Sequence, residues 1–422
     1  MNDFKRLGEL LGANTAGLRG VPSYCTSNPY ALRSVFELAR TGQGPILVEA
    51  TCNQVNQYGG YTGLTPEEFR DYVRELAVDC RLDPARLVLG GDHLGPNPWK
   101  DRPADEALQE ARTLVAGFAA AGYRKIHLDA SMPCADDTDG ISDETIAERA
   151  AVLCESAEAA VSGEPPAYVI GTEVPAPGGV TDTGHDALEV TRRADVARTL
   201  ETHRQAFEVR GLTRAWERVA AIVVQPGVEF TNRSVIDFDP SGARDLAAAL
   251  AGHDGLVYEA HSTDYQSGQA LRDLVDHGFS FLKVGPALTF AFREAVVALS
   301  HMEAHLVAPG AASRAIDAVL AEMEAEPRYW QGHYTDPAEA DYEKLFSYSD
   351  RIRYYWGREP VRDALAALFH NVEAARHRPP LLRQYVPDLD PTELAEANGS
   401  LAEAVIRARV ETVMHKYEAA CA

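Results

Sequence analysis

Eight short apolar runs, separated by helix-like stretches, each end on polar residues capable of chemistry. They close on Cys25-Thr26-Ser27, on Glu49 through Asn53-Gln54, and on Asp92-His93, His127-Leu128-Asp129, Glu173, Gln225, Glu259-Ala260-His261 and Lys283-Val284-Gly285. Eight strands with crossover helices are the number that closes a (β/α)₈ TIM barrel, in which chemistry gathers at the C-terminal strand ends. The pattern therefore predicts both an α/β architecture and the rim on which a site would lie.

Local signals fill in that frame. Strands are expected at Arg19–Tyr24, Pro45–Glu49, Leu87–Gly90, Lys125–Leu128, Ala167–Thr172, Val219–Val224, Gly255–Tyr258 and Ser280–Val284. Asn28-Pro29, Thr65-Pro66-Glu67-Glu68 and Ser142-Asp143-Glu144 read as helix starts, with a capping side chain followed by proline or acidic residues. Further helices are expected at Ala104–Ala121, Asp186–Arg210, Ser241–Ala251, Gln269–His277 and Thr289–Glu303. The loop with Pro175, Pro177, Gly178 and Gly179 would lie over the barrel mouth, where loops often carry function. The expected division is a barrel over residues 1–305 and a helical C-terminal extension over 306–422, packed on the barrel or at a subunit interface.

The charge balance, 40 − 63 = −23, gives no electrostatic support for binding nucleic acid or an anionic membrane. No run approaches the roughly 18 apolar residues of a membrane span, and the start of the chain lacks the apolar core of a signal peptide. The six cysteines form no CxxC pair and read as reduced thiols, so the cytoplasm is the expected setting.

Imidazoles and carboxylates on separate strand ends, with room for a substrate oxygen, describe a divalent-metal site. His93, His127, Asp129, Glu173, Glu259 and His261 are the candidates, and His93, Glu173 and His261 are expected around one small cation. In Gly90-Gly91-Asp92-His93 one side chain could bind metal while the other moves a proton. Asn53 and Gln54 suit sugar hydroxyls, while Ser262, Asp264 and Lys283 suit a phosphate or other polar substrate group. His301 and His305, one helical turn apart, read as structural. Neither a Walker A loop, a GxGxxG turn opening a helix, nor a GxSxG elbow is present in the sequence.

Longer segments carry a resemblance. EATCNQVNQYGGYTG (Glu49–Gly63), GGDHLGPNPW (Gly90–Trp99), HLDASM (His127–Met132), VVQPGVEF (Val223–Phe230), YEAHSTDYQ (Tyr258–Gln266) and LKVGPALTFAFREA (Leu282–Ala295) resemble the larger, so-called non-catalytic subunit of class II D-tagatose-1,6-bisphosphate aldolase. The resemblance implies a barrel related to class II aldolases. It also implies a role beside a separate catalytic subunit in hexose or hexitol catabolism. Members of this family have also been labelled tagatose-6-phosphate kinases, and some relatives look like ketose or ketouronate epimerases.

By that likeness Asp92 and Asp129 match proton-handling carboxylates, His93 a metal ligand and Glu173 a strand-five carboxylate. The match departs at Gln225-Pro226, where the catalytic enzymes place a zinc-binding histidine. It departs again at Glu259-Ala260-His261-Ser262, where either Glu259 or His261 could be the ligand. Gln225 and Glu259 are then expected to face substrate, and the metal could be Zn²⁺, Mn²⁺ or Mg²⁺. The leading expectation is an aldolase subunit that binds a ketose or ketose phosphate, in a homo- or hetero-oligomer. The alternative is a stand-alone metal-dependent epimerase. A sugar-phosphate kinase is disfavoured for want of a nucleotide cradle.

Overall fold

The computed structural model describes residues 8–9, 17–40, 42–138, 140–174, 188–253, 255–397 and 399–422. Its centre is a closed barrel of eight parallel strands. These are β1 (Val21–Tyr24), β2 (Ile46–Thr51), β3 (Leu87–Leu94), β4 (Lys125–Leu128), β5 (Ala167–Ile170), β6 (Val219–Val223), β9 (Val257–Ala260) and β10 (Phe279–Val284). Neighbours in sequence are neighbours in the barrel, and β10 closes on β1, with Val21 opposite Phe281 and Tyr24 opposite Val284.

Strand alternation sorts the side chains into two cores. Val21, Leu47, Val88, Val169, Val223, Val257 and Phe281 fill the barrel interior in one apolar cluster. Residues of opposite parity, such as Val48, Ile126, Leu128, Ile170 and Leu282, face the surrounding helices in the larger core. Two residues beyond Leu47, Val257 and Phe281, the inward positions are Glu49, Glu259 and Lys283, all buried. The barrel is therefore apolar below and charged above.

Helix ends follow the expected chemistry. Asn28 Oδ1 accepts from the Tyr30 and Ala31 N–H groups at the head of the Pro29–Ala39 helix. Thr65 and Glu68 form a capping box on Pro66–Asp79. Three local expectations need correction. The seventh barrel strand lies two residues later than the sequence suggested, because the turn through Gly255 precedes it. Ser241–Ala251 is two short helical pieces, Arg244–Ala247 and Ala248–Leu250, rather than one continuous helix. A small antiparallel hairpin, β7 (Glu229–Phe230) with β8 (Val235–Ile236), follows β6 and was not anticipated. The Pro175–Gly179 loop and the first residues of the Asp186–Arg210 expectation lie outside the described residues; the helix there is Arg193–Val209.

Beyond residue 306 the described chain is helical and shares the barrel's outer core. Its last helix, Leu401–Cys421, packs on Pro29–Ala39 and on the barrel helix Pro286–Glu303. The Cys421 carbonyl accepts from the Arg19 N–H (2.8 Å), which ties this helix to the entry of β1. His305 Nε2 meets the Tyr385 hydroxyl (2.7 Å) and His301 stacks on the same ring, so both pack within the extension's contact with the barrel.

Candidate active site in the barrel mouth

The site begins with two residues on β4. Lys125 and His127 are two apart, so both point into the barrel, where Ile126 and Leu128 cannot. The register sets Glu49 of β2 beside Gly90 of β3, and Gly90 beside Lys125. Gly90 makes that row possible, because a Cβ there would stand 2.8 Å from Glu49 Cγ. Glu49 thus reaches across to Lys125 Nζ (2.7 Å) with one oxygen and to Lys283 Nζ with the other. Lys125 also meets Glu259 Oε2 (2.6 Å), and Lys283 meets Asp92 Oδ2 (3.0 Å).

Three imidazoles lie above this layer. Ring centroids are 5.2 Å apart for His93 and His127, 4.7 Å for His93 and His261, and 5.3 Å for His127 and His261. His93 sits in the left-handed backbone region (φ 49°), as does Ser262 (φ 54°). Strain of this kind in ordinary residues concentrates at functional sites. His93 Nδ1 bonds Asp129 Oδ2 (2.7 Å), and Asp129 Oδ1 accepts from the Ser131 hydroxyl (2.6 Å). His261 Nε2 bonds Glu259 Oε1 (2.9 Å).

These bonds leave a specific electrostatic problem. Each of the two imidazoles gives one N–H to a carboxylate, so in its neutral form its second nitrogen carries a lone pair. Those second nitrogens, His261 Nδ1 and His93 Nε2, face each other at 3.1 Å. A cation or an added proton between them removes the repulsion. His127 Nε2 is also buried and unpartnered among the described residues. Five buried carboxylates (Glu49, Asp92, Asp129, Glu259, Asp264) and only two buried ammoniums (Lys125, Lys283) meet around the mouth, so negative charge is in excess there. A bound cation would offset part of it.

Ligand atoms of Asp92, His127, Glu259 and His261 all lie within 4.8 Å of one another, so the donor set fits a cation that accepts nitrogen and oxygen ligands. Burial opposes charge on Asp92, but His93 and Lys283 outweigh it and hold the carboxyl well below its usual range. Glu259 is held low in the same way by Lys125 and Lys283. Burial opposes the charge on His93 as well, yet Asp92 and Asp129 prevail and raise it. His261, by contrast, is pushed down to about 4 by burial, despite its bond to Glu259.

The cavity above is lined by Asn53, Gln54, Asp92, His93, His261, Ser262, Asp264 and Lys283, eight of the residues that sequence reading selected. Glu259 and Asp129 lie beneath it as hydrogen-bond partners of the histidines. Asp264 Oδ1 caps the Pro286–Glu303 helix through the Gly285 (2.9 Å) and Ala287 (2.8 Å) N–H groups, and burial pushes its carboxyl up to about 6. Gln54 Oε1 accepts from the Thr51 N–H (2.7 Å), which fixes the loop after β2.

Glu173 and Gln225 depart from the expected grouping. β5 ends at Ile170, and the chain carries Glu173 three residues past the rim into a neighbouring cleft that Gln225 also lines. Glu173 accepts from the Thr191 hydroxyl there, while Gln225 Oε1 caps the Gly227 and Val228 N–H groups. The third imidazole comes from His127 on β4. Sequence reading placed His127 and Glu49 at strand ends without giving either a final role, and overlooked Lys125. Its signal was a charged side chain at an inward position of a short, otherwise apolar strand.

Fold and cluster together define a (β/α)₈-barrel protein with a buried histidine–carboxylate–lysine centre suited to a divalent cation. The chain belongs to the D-tagatose-1,6-bisphosphate aldolase subunit GatZ/KbaZ-like family, whose model matches residues 9–422. It is 45% identical over 407 residues to the D-tagatose-1,6-bisphosphate aldolase subunit GatZ of Klebsiella pneumoniae, covering 95% of this chain and 96% of that one. The Salmonella enteritidis protein of the same name is 45% identical over 384 residues, 90% of each chain. A crystal structure described as a probable tagatose 6 phosphate kinase from Sinorhizobium meliloti superposes with a TM-score of 0.86 at 42% identity, covering 95% of this chain and 100% of that one.

Proposed function

We propose that this chain is a subunit of a tagatose-bisphosphate aldolase, working in the cytoplasm beside a separate catalytic chain and binding a ketose or ketose phosphate in its barrel mouth. The observation that carries the reading is full-length membership of the GatZ/KbaZ-like family joined to an intact polar mouth. In this reading His93, His127, His261, Asp92 and Glu259 are the groups that would hold a divalent cation. Such an ion, when bound, polarises a ketose oxygen as a Lewis acid. Asp129 fixes the His93 ring, Lys125 and Lys283 hold Glu49 and Glu259 in place, and Asn53 and Gln54 face the sugar hydroxyls. Co-expression with the cognate aldolase tests it. Higher activity and thermal stability of the partner are expected, and no change in either rejects the subunit role.

A second reading is an independent epimerase or lyase, favoured by one observation. Five carboxylates are buried at the mouth, a costly arrangement that a pure scaffold has no need of. Asp92 would then carry the proton at the substrate carbon. Turnover of ketoses, ketose phosphates or hexuronates by the isolated chain with Mn²⁺ or Zn²⁺, abolished in Asp92→Asn, is the expected result. No turnover on any of them removes this reading.

A further inference from the structure

The geometry points to an oxyanion-binding subsite next to the mouth, built largely by the C-terminal extension from Arg328, Arg353, Arg358 and Arg362. These arginines line a cleft of about 710 Å³ between the extension and the loops after β1 and β2. Its described lining contains four arginines and neither Asp nor Glu, in a chain whose acidic residues outnumber its basic ones 63 to 40. A wall so free of carboxylates within this composition is a local inversion of the protein's field, and it attracts anions.

Three of the four guanidiniums have no carboxylate ion-pair partner among the described residues. The fourth, Arg328, meets Glu326 at 3.1 Å. Arg353 is held by main-chain carbonyls, at Ser349 and at Asp350 (3.0 Å), and by the Tyr354 hydroxyl (3.0 Å). These contacts orient its fork, and it feels the field of the Asp350 carboxylate without a direct ion pair among the described residues. Guanidinium forks match phosphate and carboxylate oxygens in a bidentate manner.

The cleft adjoins the mouth. Cys25, Gln54, Tyr61, Arg353 and Tyr354 line both. Tyr354 packs edge-on against Tyr61 (4.6 Å between centroids) and stacks on Tyr329 (4.9 Å), so aromatic rings line the junction of the two spaces. One ligand could therefore place its polyol end over the histidine cluster and its anionic end among the arginines. A phosphorylated sugar and a sugar acid share that chemistry. The assignment rests on the reading of the mouth as a sugar site and adds what the extension contributes to it.

Calorimetric titration of the full chain with fructose 6-phosphate, galacturonate and fructose tests the subsite. Fructose 6-phosphate is expected to bind at least about tenfold more tightly than fructose. Arg358→Gln/Arg362→Gln, with an unchanged circular dichroism spectrum, is expected to erase that preference. A preference shared by galacturonate identifies any oxyanion as sufficient, and one confined to fructose 6-phosphate identifies phosphate. Equal binding of fructose 6-phosphate, galacturonate and fructose by the wild-type chain overturns the subsite, as does a folded double variant that keeps the full preference. Equal binding by the wild-type chain overturns the subsite even if the double variant does not fold, and Arg328→Gln is then the variant that reads the arginine contribution. Failure of the aldolase-subunit reading is separate, because it appears in co-expression with the partner and not in these titrations.

Discussion

His93 Nδ1 and Asp129 Oδ2 stand 2.7 Å apart although β3 and β4 carry them from different parts of the chain. The bond fixes which nitrogen of His93 faces His261, and so defines the only nitrogen of that ring free to meet a cation. Carboxylates in this position orient a metal-binding imidazole and raise its basicity. In Asp129→Asn the charge is lost while the shape is kept. Mn²⁺ affinity, followed by the paramagnetic resonance of free Mn²⁺, is expected to fall by about 10- to 100-fold. Unchanged affinity would remove His93 from the cation site.

Glu49 is the hinge of the charged layer. It is fully buried and bridges Lys125 and Lys283. Glu49→Gln leaves two buried ammoniums short of one countercharge, and removing one member of such a group costs about 3–5 kcal/mol. Urea unfolding should show a loss of that order at neutral pH.

Tyr417 ties the C-terminal helix to the loop that follows the seventh barrel strand. Tyr417 donates its hydroxyl hydrogen to the Thr263 carbonyl (2.8 Å), and the Thr263 hydroxyl donates to the Lys283 carbonyl (2.6 Å). Tyr417→Phe leaves a buried carbonyl with one partner fewer and is expected to cost about 1–3 kcal/mol. Differential scanning calorimetry reads this as a lower Tm.

Acid sensitivity should come partly from His203, far from the mouth. Its ring is buried on the Arg193–Val209 helix, with Nδ1 donating to the Thr199 carbonyl (2.8 Å). Burial pushes its pKa from 6.5 down to about 4, against the smaller opposing effect of that bond. Below pH 6.5 the unfolded chain takes up a proton that the folded chain refuses, so stability falls as pH drops toward 4. The contribution at pH 4.5 is on the order of 2 kcal/mol. Unfolding free energies of wild type and His203→Phe, compared at pH 7 and pH 4.5, should converge as the pH is lowered.

Much of the fold was legible in the chain itself. Short β-branched runs such as VAAIV and PILVE, the caps at Asn28, Thr65 and Ser142, and the glycine turns give strands and helices their places through local physics alone. The rim residues were legible for the same reason, since a barrel strand ends where its apolar run ends. The hairpin at Glu229–Ile236 was not, because two-residue strands carry no period to read.

Sequence alone therefore determined the barrel, its helical coat and the set of polar strand ends. Only the tertiary structure decided which of them meet. Closure and register set Gly90 between Glu49 and Lys125, brought His127 rather than a strand-six residue to His93 and His261, and sent Glu173 and Gln225 to another cleft. They also carried Arg353 and Tyr354 from beyond residue 306 back to the mouth. Spacing along a chain fixes the direction of a side chain on its own strand. The distance between strands depends on how the whole sheet closes, and no local pattern encodes that.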